Sequence, residues 1–129
     1  MVAALLTTGE AMALEDLRWQ SRPLLIVSAS ADDPRIGSQI AALPEAGVLN
    51  RQMVVVVATP EGVTQDSAAS TDDYDALRRR YGVSGSFSVL LIGKDGGVKR
   101  RSDAPVTAAS LFDQIDGMPM RRREMREAE

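Results

Sequence analysis

Five side chains that could do chemistry lie close together in the segment LLIVSASADDPRIGSQI, where an apolar run gives way to polar residues. They are two hydroxyls, two carboxylates and one guanidinium: Ser28, Ser30, Asp32, Asp33 and Arg35. If a helix begins here, its free backbone amides and the positive end of its dipole favour an anion. The pattern therefore predicts a candidate site for a carboxylate- or phosphate-bearing ligand, held by the serines, Arg35 and the helix amides.

Helix initiation accounts for much of the same pattern. Asp33 is a good N-cap, and Pro34 fits the first helical position, where its missing N–H and fixed φ do no harm. Arg35 can pair with a nearby acid, and the two aspartates would repel an anionic ligand. We therefore expect this loop chiefly to start a helix. Ligand binding by Ser30, Asp32 and Arg35 is the alternative hypothesis.

The composition excludes several kinds of active site. The chain contains neither Cys nor His, so thiol redox chemistry, Cys/His metal sites and Ser-His or Cys-His nucleophiles are all absent. The aspartates at 32–33 and 72–75 lack the ligand spacing of a calcium loop. We expect no metal and no cofactor. Acid–base catalysis near neutral pH would require a carboxylate with a raised pKa.

The bulk numbers describe a soluble domain. A chain of 129 residues can bury a core without disulfides. Its net charge of −3 gives no sign of nucleic-acid binding. No apolar run approaches the roughly 20 residues that a membrane-spanning helix needs, so we expect no stable membrane insertion.

The N-terminal residues MVAALLTTGEAMA resemble the end of a secretory signal. A short apolar run precedes a small-residue pattern at Ala11 and Ala13, although a basic beginning is missing. We expect residues 1–13 to be a signal-peptide remnant and the protein to be periplasmic or secreted. If they are only a disordered leader, a cytoplasmic location follows.

The elements that hold the candidate loop follow from the hydrophobic pattern. Four strands are predicted, over residues 24–29, 52–60, 86–93 and 98–102. Helices are predicted from Asp33 towards Pro44, over residues 73–81, and from Thr107 to Gly117. Residues 61–71 show no apolar period and predict a loop. The result is an α/β domain over residues 14–117, with helices on both faces of a mixed sheet of about four strands. Trp19, before the first strand, is expected to pack over the sheet. The alternative is a recognition residue on which the guanidinium groups of Arg18 and Arg22 stack.

One segment, RRRYGVSGSFSVLLIGKDGGVKRR, resembles the helix end, loop, strand and hairpin that thioredoxins and peroxiredoxins share. This resemblance implies a thioredoxin-like three-layer sandwich. Phe87 stands where those proteins have a cis-proline beside their redox cysteines, and both features are missing here. Phe87 therefore joins the candidate ligand-binding residues.

The chain as a whole resembles a narrower family. Its stretches LRWQSRPLLIVSAS, LNRQMVVVV and LFDQIDGMPMRRREM are similar to those of small, exported bacterial proteins. These proteins are related to the peroxiredoxin-like domain of sushi-repeat extracellular proteins and Equarin. The resemblance implies a fold and no particular reaction, because a shared fold does not supply a redox function.

The C-terminal segment, residues 118–129, is rich in methionine and arginine. Met118 and Met120 are adaptable apolar residues, and Arg121, Arg122 and Arg123 form a basic cluster that nearby glutamates almost balance. One interpretation is a tail that docks a partner. The other is that the methionines seal the core while the charges stay solvated.

These observations favour a non-catalytic binding or structural module that contacts another protein. The alternative is a small-ligand or anion binder, or an enzyme without thiol chemistry, that uses the loop around residues 28–35. The alternative requires a concave pocket there and an acid with a raised pKa. A third possibility is a stable spacer descended from a redox enzyme.

Overall fold

The computed structural model describes residues 13–128, so most of the signal-like segment predicted over residues 1–13 lies outside the described residues. Six strands form one sheet: β1 (Arg22–Ser28), β2 (Met53–Thr59), β3 (Gly62–Gln65), β4 (Ala68–Ala69), β5 (Phe87–Ile92) and β6 (Val98–Ser102). A short 3-10 helix (Leu14–Leu17) precedes β1. The α-helices are α1 (Pro34–Ala41), α2 (Glu45–Asn50), α3 (Tyr74–Tyr81), α4 (Ala108–Asp116) and α5 (Pro119–Glu127).

The apolar run at residues 24–27 forms the middle of the sheet. The strand order is β4-β3-β2-β1-β5-β6. β1 pairs in parallel with β2, Leu24 opposite Val55, and antiparallel with β5, Leu24 opposite Leu91. All seven residues of β1 are buried. A strand that is covered on both faces explains why its sequence is apolar without alternation.

Helices cover both faces of the sheet and bury two separate cores. On one face Leu25 and Val27 pack with α3 and the 3-10 helix. On the other face Leu24 and Ile26 pack with α1, α2 and α4. Successive residues of a strand point to opposite faces, so β1 contributes to both cores. The predicted three-layer α/β sandwich is confirmed.

The predicted strand number is too low, because the sheet has six strands rather than about four. The predicted loop at residues 61–71 contains β3 and β4, which extend the sheet beyond β2. Val63 is the buried residue of β3 and lies opposite Ala58. One buried side chain gives too weak an alternation to predict a strand, and pairing with β2 supplies the rest.

Side-chain caps begin α1 and α4 at the predicted residues. Asp33 accepts a hydrogen bond from the Arg35 amide, 2.9 Å away, and Pro34 is the first residue of α1. Thr107 caps α4 by accepting from the Ser110 amide. These bonds satisfy amides that have no partner within the helix.

Two segments depart from simple expectation. Trp19 does not pack over the sheet: 61% of it is exposed, and its φ is +67°. Its amide donates to the Lys94 carbonyl at 2.6 Å, which holds the chain in this turn. Residues 119–127 form the helix α5, with Pro119 in its first turn and Arg121 buried.

Within residues 13–128, no helix is both long and apolar enough to cross a membrane.

Candidate functional site

The predicted loop lies at the carboxyl end of β1, and its polar groups bind one another. The Ser28 hydroxyl is buried and lies 2.8 Å from Asp33 Oδ2. It also accepts from the Ser30 amide, and the Ser30 hydroxyl accepts from the Asp32 amide, both at 3.2 Å. The side chains of Ser30 and Asp32 are exposed. The serines thus complete the turn that leads into α1.

Asp33 and Arg35 form an ion pair at the start of α1. The Arg35 Nε and Nη2 atoms donate to the carboxylate at 3.0 and 2.8 Å. These bonds, the Arg35 amide and the Ser28 hydroxyl hold the pKa of Asp33 well below its usual range. The same pair raises the pKa of Arg35. Asp33 is therefore ionised and paired with Arg35. The enzyme alternative requires an acid in this loop with a raised pKa, whereas the pKa of Asp33 is lowered.

Phe87 joins this loop from the neighbouring strand. It pairs with Ser28 in the antiparallel register, and only 2% of it is exposed. The Arg35 guanidinium carbon lies 4.5 Å from the ring centroid, which is a cation–π contact. No cis peptide bond occurs within residues 13–128. Of the four predicted ligand residues, the structure brings Arg35 and Phe87 together and leaves Ser30 and Asp32 at the surface.

The opposite end of β1 carries a larger ionic cluster. Arg22, only 1% exposed, donates through two nitrogens to both carboxylate oxygens of Glu124, at 3.2 and 3.0 Å. Lys94 donates to the same carboxylate at 2.7 Å and also to the Gln52 side chain. A third Arg22 bond reaches the Arg51 carbonyl at 2.9 Å. These contacts join α5 to the amino end of β1.

A second carboxylate lies beside the first. Asp116 accepts from Arg121 at 3.0 Å and from Arg51 at 3.1 and 2.9 Å. Arg121 also reaches the carbonyl and side chain of Asn50. The Arg51 guanidinium lies 4.1 Å from the Phe112 ring centroid. Each of the two carboxylates is therefore paired with two cationic side chains.

Both carboxylates have a pKa below the ordinary value. Burial raises the pKa of Glu124, but hydrogen bonds from Arg22 and Lys94 outweigh that effect. Burial also raises the pKa of Asp116, and the hydrogen bonds from Arg51 and Arg121 again outweigh it. Each group is therefore held in its charged form, as expected for a carboxylate that two cations share.

The ion pairs around these two carboxylates are called the Glu124 cluster below: Arg22, Arg51, Lys94, Asp116, Arg121 and Glu124. A cavity of about 700 Å³ opens next to the Glu124 cluster. Its lining includes the cations Arg22, Lys94 and Lys99 and the apolar side chains of Met118 and Met120. Its remaining lining residues come from the β5–β6 turn and the α4–α5 junction: Gly93, Asp95, Asp113, Gln114, Gly117 and Pro119. The cavity therefore combines buried cations with an apolar wall.

A second surface feature lies beside the β2–β3 hairpin. Helices α1 and α2 leave an open strip along β2, lined by Val55 and Val57 and bordered by the exposed side chains of Ile40 and Leu49. The strip continues past Val57 and Thr64 towards β4. We call this surface the hairpin groove. Its β2 side belongs to a predicted strand, whereas its other side is formed by β3 and the turn after it, which the sequence pattern does not reveal.

The predicted partner-binding residues separate into three groups. Met118 and Met120 are half-buried in the cavity wall. Arg121 is buried against Asp116, so it belongs to the domain's own structure. Arg122 and Arg123 are exposed on α5. The basic cluster is thus one structural residue followed by two solvated ones.

The sequence interpretation missed the residues of the Glu124 cluster. Arg22 is the first residue of the buried strand β1, and Lys94 lies two residues after the end of β5. A charged residue at the end of a buried strand needs a partner, which is the signal that could have found them. The partner, Glu124, is 102 positions from Arg22, so no local spacing indicates it. Within residues 13–128 no group of three or more acidic side chains could hold a metal ion.

Comparison with protein families identifies one that covers nearly the whole described chain. A family model described as Domain of unknown function (DUF4174) matches residues 13–124. Among curated proteins, coiled-coil domain-containing protein 80 of Danio rerio is 36% identical over 66 residues, or 50% of this chain. The match spans 7% of that protein's length.

Two solved structures share the architecture. Thioredoxin peroxidase I of Plasmodium yoelii superposes with a TM-score of 0.58 at 15% identity, covering 85% of this chain and 79% of that one. A DsbE thiol:disulfide interchange protein of Chlorobium tepidum gives 0.51 at 22% identity, covering 74% and 77%. At such identities the likeness shows the fold alone, and the predicted thioredoxin-like fold is confirmed.

Proposed function

The chain belongs to the family of the Domain of unknown function (DUF4174), and we propose that it is a non-catalytic binding module of thioredoxin-like fold. In this proposal the hairpin groove docks an apolar segment, flanked by basic residues, of a partner protein. The absence of cysteine excludes thiol redox chemistry. At the carboxyl end of β1, Asp33 and Arg35 pair with each other. The observation that carries the proposal is the apolar groove with its acidic border.

The apolar character of the groove supports docking rather than simple solvation. Leu49 is 69% exposed and Ile40 is 42% exposed, although both are large apolar side chains. Between them and the hairpin, Val55 and Val57 are only half-buried. Single exposed apolar residues are ordinary, but a contiguous strip with a polar border is typical of an interaction surface.

The charges around the groove define the partner's chemistry. Four carboxylates belong to its lining: Glu45, Glu61, Asp66 and Asp72. Among residues 13–128, no Lys or Arg contributes to that lining. Opposite charges across an interface steer association and fix register. A partner segment with apolar residues in the groove and Lys or Arg beside them is therefore favoured over an acidic or neutral one.

Two further expectations stay predictions. Arg122 and Arg123 are exposed on α5 and could take part in a second contact, as the sequence interpretation predicts for the C-terminal tail. Export is proposed from the short apolar run and the small residues Ala11 and Ala13. Neither is needed for docking at the hairpin groove.

Selection from a random peptide display library tests the groove directly, because the partner's chemistry is specified and its identity is not required. The purified chain is immobilised, and bound peptides are sequenced. We expect enriched peptides to combine several apolar residues with flanking Lys or Arg. A synthetic copy of an enriched peptide should bind at least about tenfold more weakly to Leu49→Asp, since the exposed apolar contact is replaced by a desolvated charge.

Trp19→Asp is the matched control, because it places the same charge on another exposed apolar residue outside the groove lining. It should leave peptide affinity unchanged within about twofold. Equal weakening by both variants, or no enrichment of basic apolar peptides, would overturn the proposal. So would a self-association of the chain, detected by sedimentation, that Leu49→Asp abolishes, since the occupant would then be a second copy.

A further inference from the structure

We infer that the cavity beside the Glu124 cluster is a binding site for a small organic monoanion with an apolar body, such as an aryl or alkyl carboxylate or sulfonate. The site is separate from the hairpin groove and does not depend on the proposed function. It lies at the amino end of β1, between the β5–β6 turn and the α4–α5 junction. Four properties of the cavity carry the inference.

The first property is a buried ammonium group with spare hydrogen-bonding capacity. Lys94 is 8% exposed and lines the cavity. An ammonium group has three N–H donors. Within residues 13–128, two contacts are made, to Glu124 and to Gln52. One of the three donors therefore has no partner among these residues, on a side chain that lines the cavity.

The second property is an excess of cations over carboxylates in the Glu124 cluster, which adjoins the cavity through Arg22 and Lys94. Arg22 and Lys94 share the single carboxylate of Glu124. Arg51 and Arg121 share the single carboxylate of Asp116. The combined cluster holds four cations and two carboxylates, and three of the cations, Arg22, Lys94 and Arg121, are buried. Of these residues, Arg22 and Lys94 line the cavity. A single ligand anion beside Lys94 would give this pair of cations a second negative partner, in surroundings where charges act more strongly than in water.

The third property limits the ligand to one negative charge. Asp95 and Asp113 also belong to the lining. Asp95 is paired with Lys99 at 2.9 Å, so that lysine is already neutralised. These carboxylates disfavour a phosphate dianion or a polyanion, whose second charge would lie near one of them. A carboxylate or sulfonate can reach Lys94 and carry no further charge.

The fourth property is an apolar part of the lining. Met118, Pro119 and Met120 form this part at the start of α5. Methionine side chains adapt to irregular apolar shapes. A volume of about 700 Å³ lies in the range of small-molecule sites. The acid group and the apolar body of one ligand can therefore be accommodated at the same time.

A pair of fluorescent probes tests the charge requirement. The anion 8-anilinonaphthalene-1-sulfonate and its uncharged relative N-phenyl-1-naphthylamine share an arylamine body and differ in the sulfonate. We expect the anion to bind the native chain with 1:1 stoichiometry and the neutral probe to bind at least about tenfold more weakly, because only the anion can use the Lys94 donor. Amide chemical shifts should change at residues 93–95 and 117–120.

Two variants keep the test independent of folding. Lys94→Met should weaken the anion at least about tenfold, but it also removes a buried ion pair. Met120→Asp leaves the ionic cluster intact and places a carboxylate on the apolar wall, and it should weaken the anion by a similar factor. Arg126→Gln changes the net charge by the same amount at an exposed position later in α5, and should leave the affinity within about twofold.

Several outcomes would overturn the inference. Equal affinity for the two probes would show apolar adsorption without use of the cations. Shifts at the hairpin groove instead of residues 93–95, or loss of binding in Leu49→Asp, would place the anion elsewhere. An unchanged affinity in Met120→Asp would exclude this cavity. Docking of peptides at the hairpin groove is tested separately, by the peptide selection with its own variant and control.

Discussion

The two ends of β1 both carry ion pairs, but the pairs join very different parts of the chain. At the carboxyl end, Asp33 and Arg35 are two positions apart and belong to the same helix start. At the amino end, Arg22 and Glu124 are 102 positions apart and join the first strand to the last helix. The local pair closes a loop, whereas the distant pair fastens two elements together.

Solvent exposure separates the two ends further. The Arg35 side chain is 42% exposed, so water can solvate it when its partner is removed. The Arg22 side chain is 1% exposed, so water cannot solvate it when Glu124 is removed. A charge that loses its partner is costly in proportion to how little water reaches it. We therefore expect the amino end to dominate stability, even though the carboxyl end resembles the redox position of the fold.

The largest expected effect is that of Glu124→Ala. Removal of this carboxylate leaves Arg22 and Lys94 without their shared partner in a buried setting. We expect the free energy of unfolding to fall by roughly 2–4 kcal/mol, measured by urea denaturation. Glu127→Ala removes an exposed carboxylate from the same helix and should change stability by less than about 0.5 kcal/mol. Similar losses in both variants would show that the Glu124 cluster adds nothing specific.

The second effect is a dependence of stability on acid. The pKa of Glu124 in the folded chain lies below its ordinary value of 4.5. The unfolded chain therefore binds more protons, and stability rises with pH through this window. The stabilisation is complete above pH values near 4.5 and is lost as pH falls through the lower folded pKa.

The free energy of unfolding, measured by urea denaturation at a series of pH values from about 7 down to about 3, gives this dependence. Glu124→Gln should flatten the profile, because the amide does not titrate. Glu127→Gln should leave the profile as it is, since that side chain is exposed. If both variants follow the parent curve, the paired carboxylate is not what links stability to pH.

The smallest effect belongs to the carboxyl end. Asp33→Ala removes the N-cap of α1 and the partner of Arg35. We expect Tm to fall by no more than a few degrees. The fall in the free energy of unfolding should be smaller than in Glu124→Ala, because the Arg35 side chain can turn to solvent. Asp32→Ala is the neighbouring control and should have almost no effect, since the Asp32 side chain is exposed. A loss in Asp33→Ala as large as in Glu124→Ala would reverse the contrast between the two ends.

The features that are predictable from sequence are those with a local cause. β1 is predictable because a strand buried on both faces must be apolar throughout. The start of α1 is predictable because Asp33 and Pro34 each have a known role at a helix N-terminus. The resemblance to thioredoxins and peroxiredoxins adds the three-layer arrangement, which the structural comparisons confirm.

The features that escape prediction depend on distant partners. β3 contains one buried residue, Val63, and exists because β2 offers it a free edge. The hairpin groove then depends on β3, so its position could not be foreseen. Arg121 appears in sequence as one of three equivalent arginines, but only its contact with Asp116 makes it structural. The spacing of residues along the chain does not indicate these pairings.

The distance between Arg22 and Glu124 also sets the order in which the chain can mature. During synthesis the first strand leaves the ribosome 102 residues before the carboxylate that neutralises its arginine. At ordinary elongation rates this interval is roughly 5–20 s. Through that time burial of Arg22 is unfavourable, so the nascent strand has no reason to settle at the centre of a sheet. We therefore expect β1 to take its final buried position only after α5 has been synthesised.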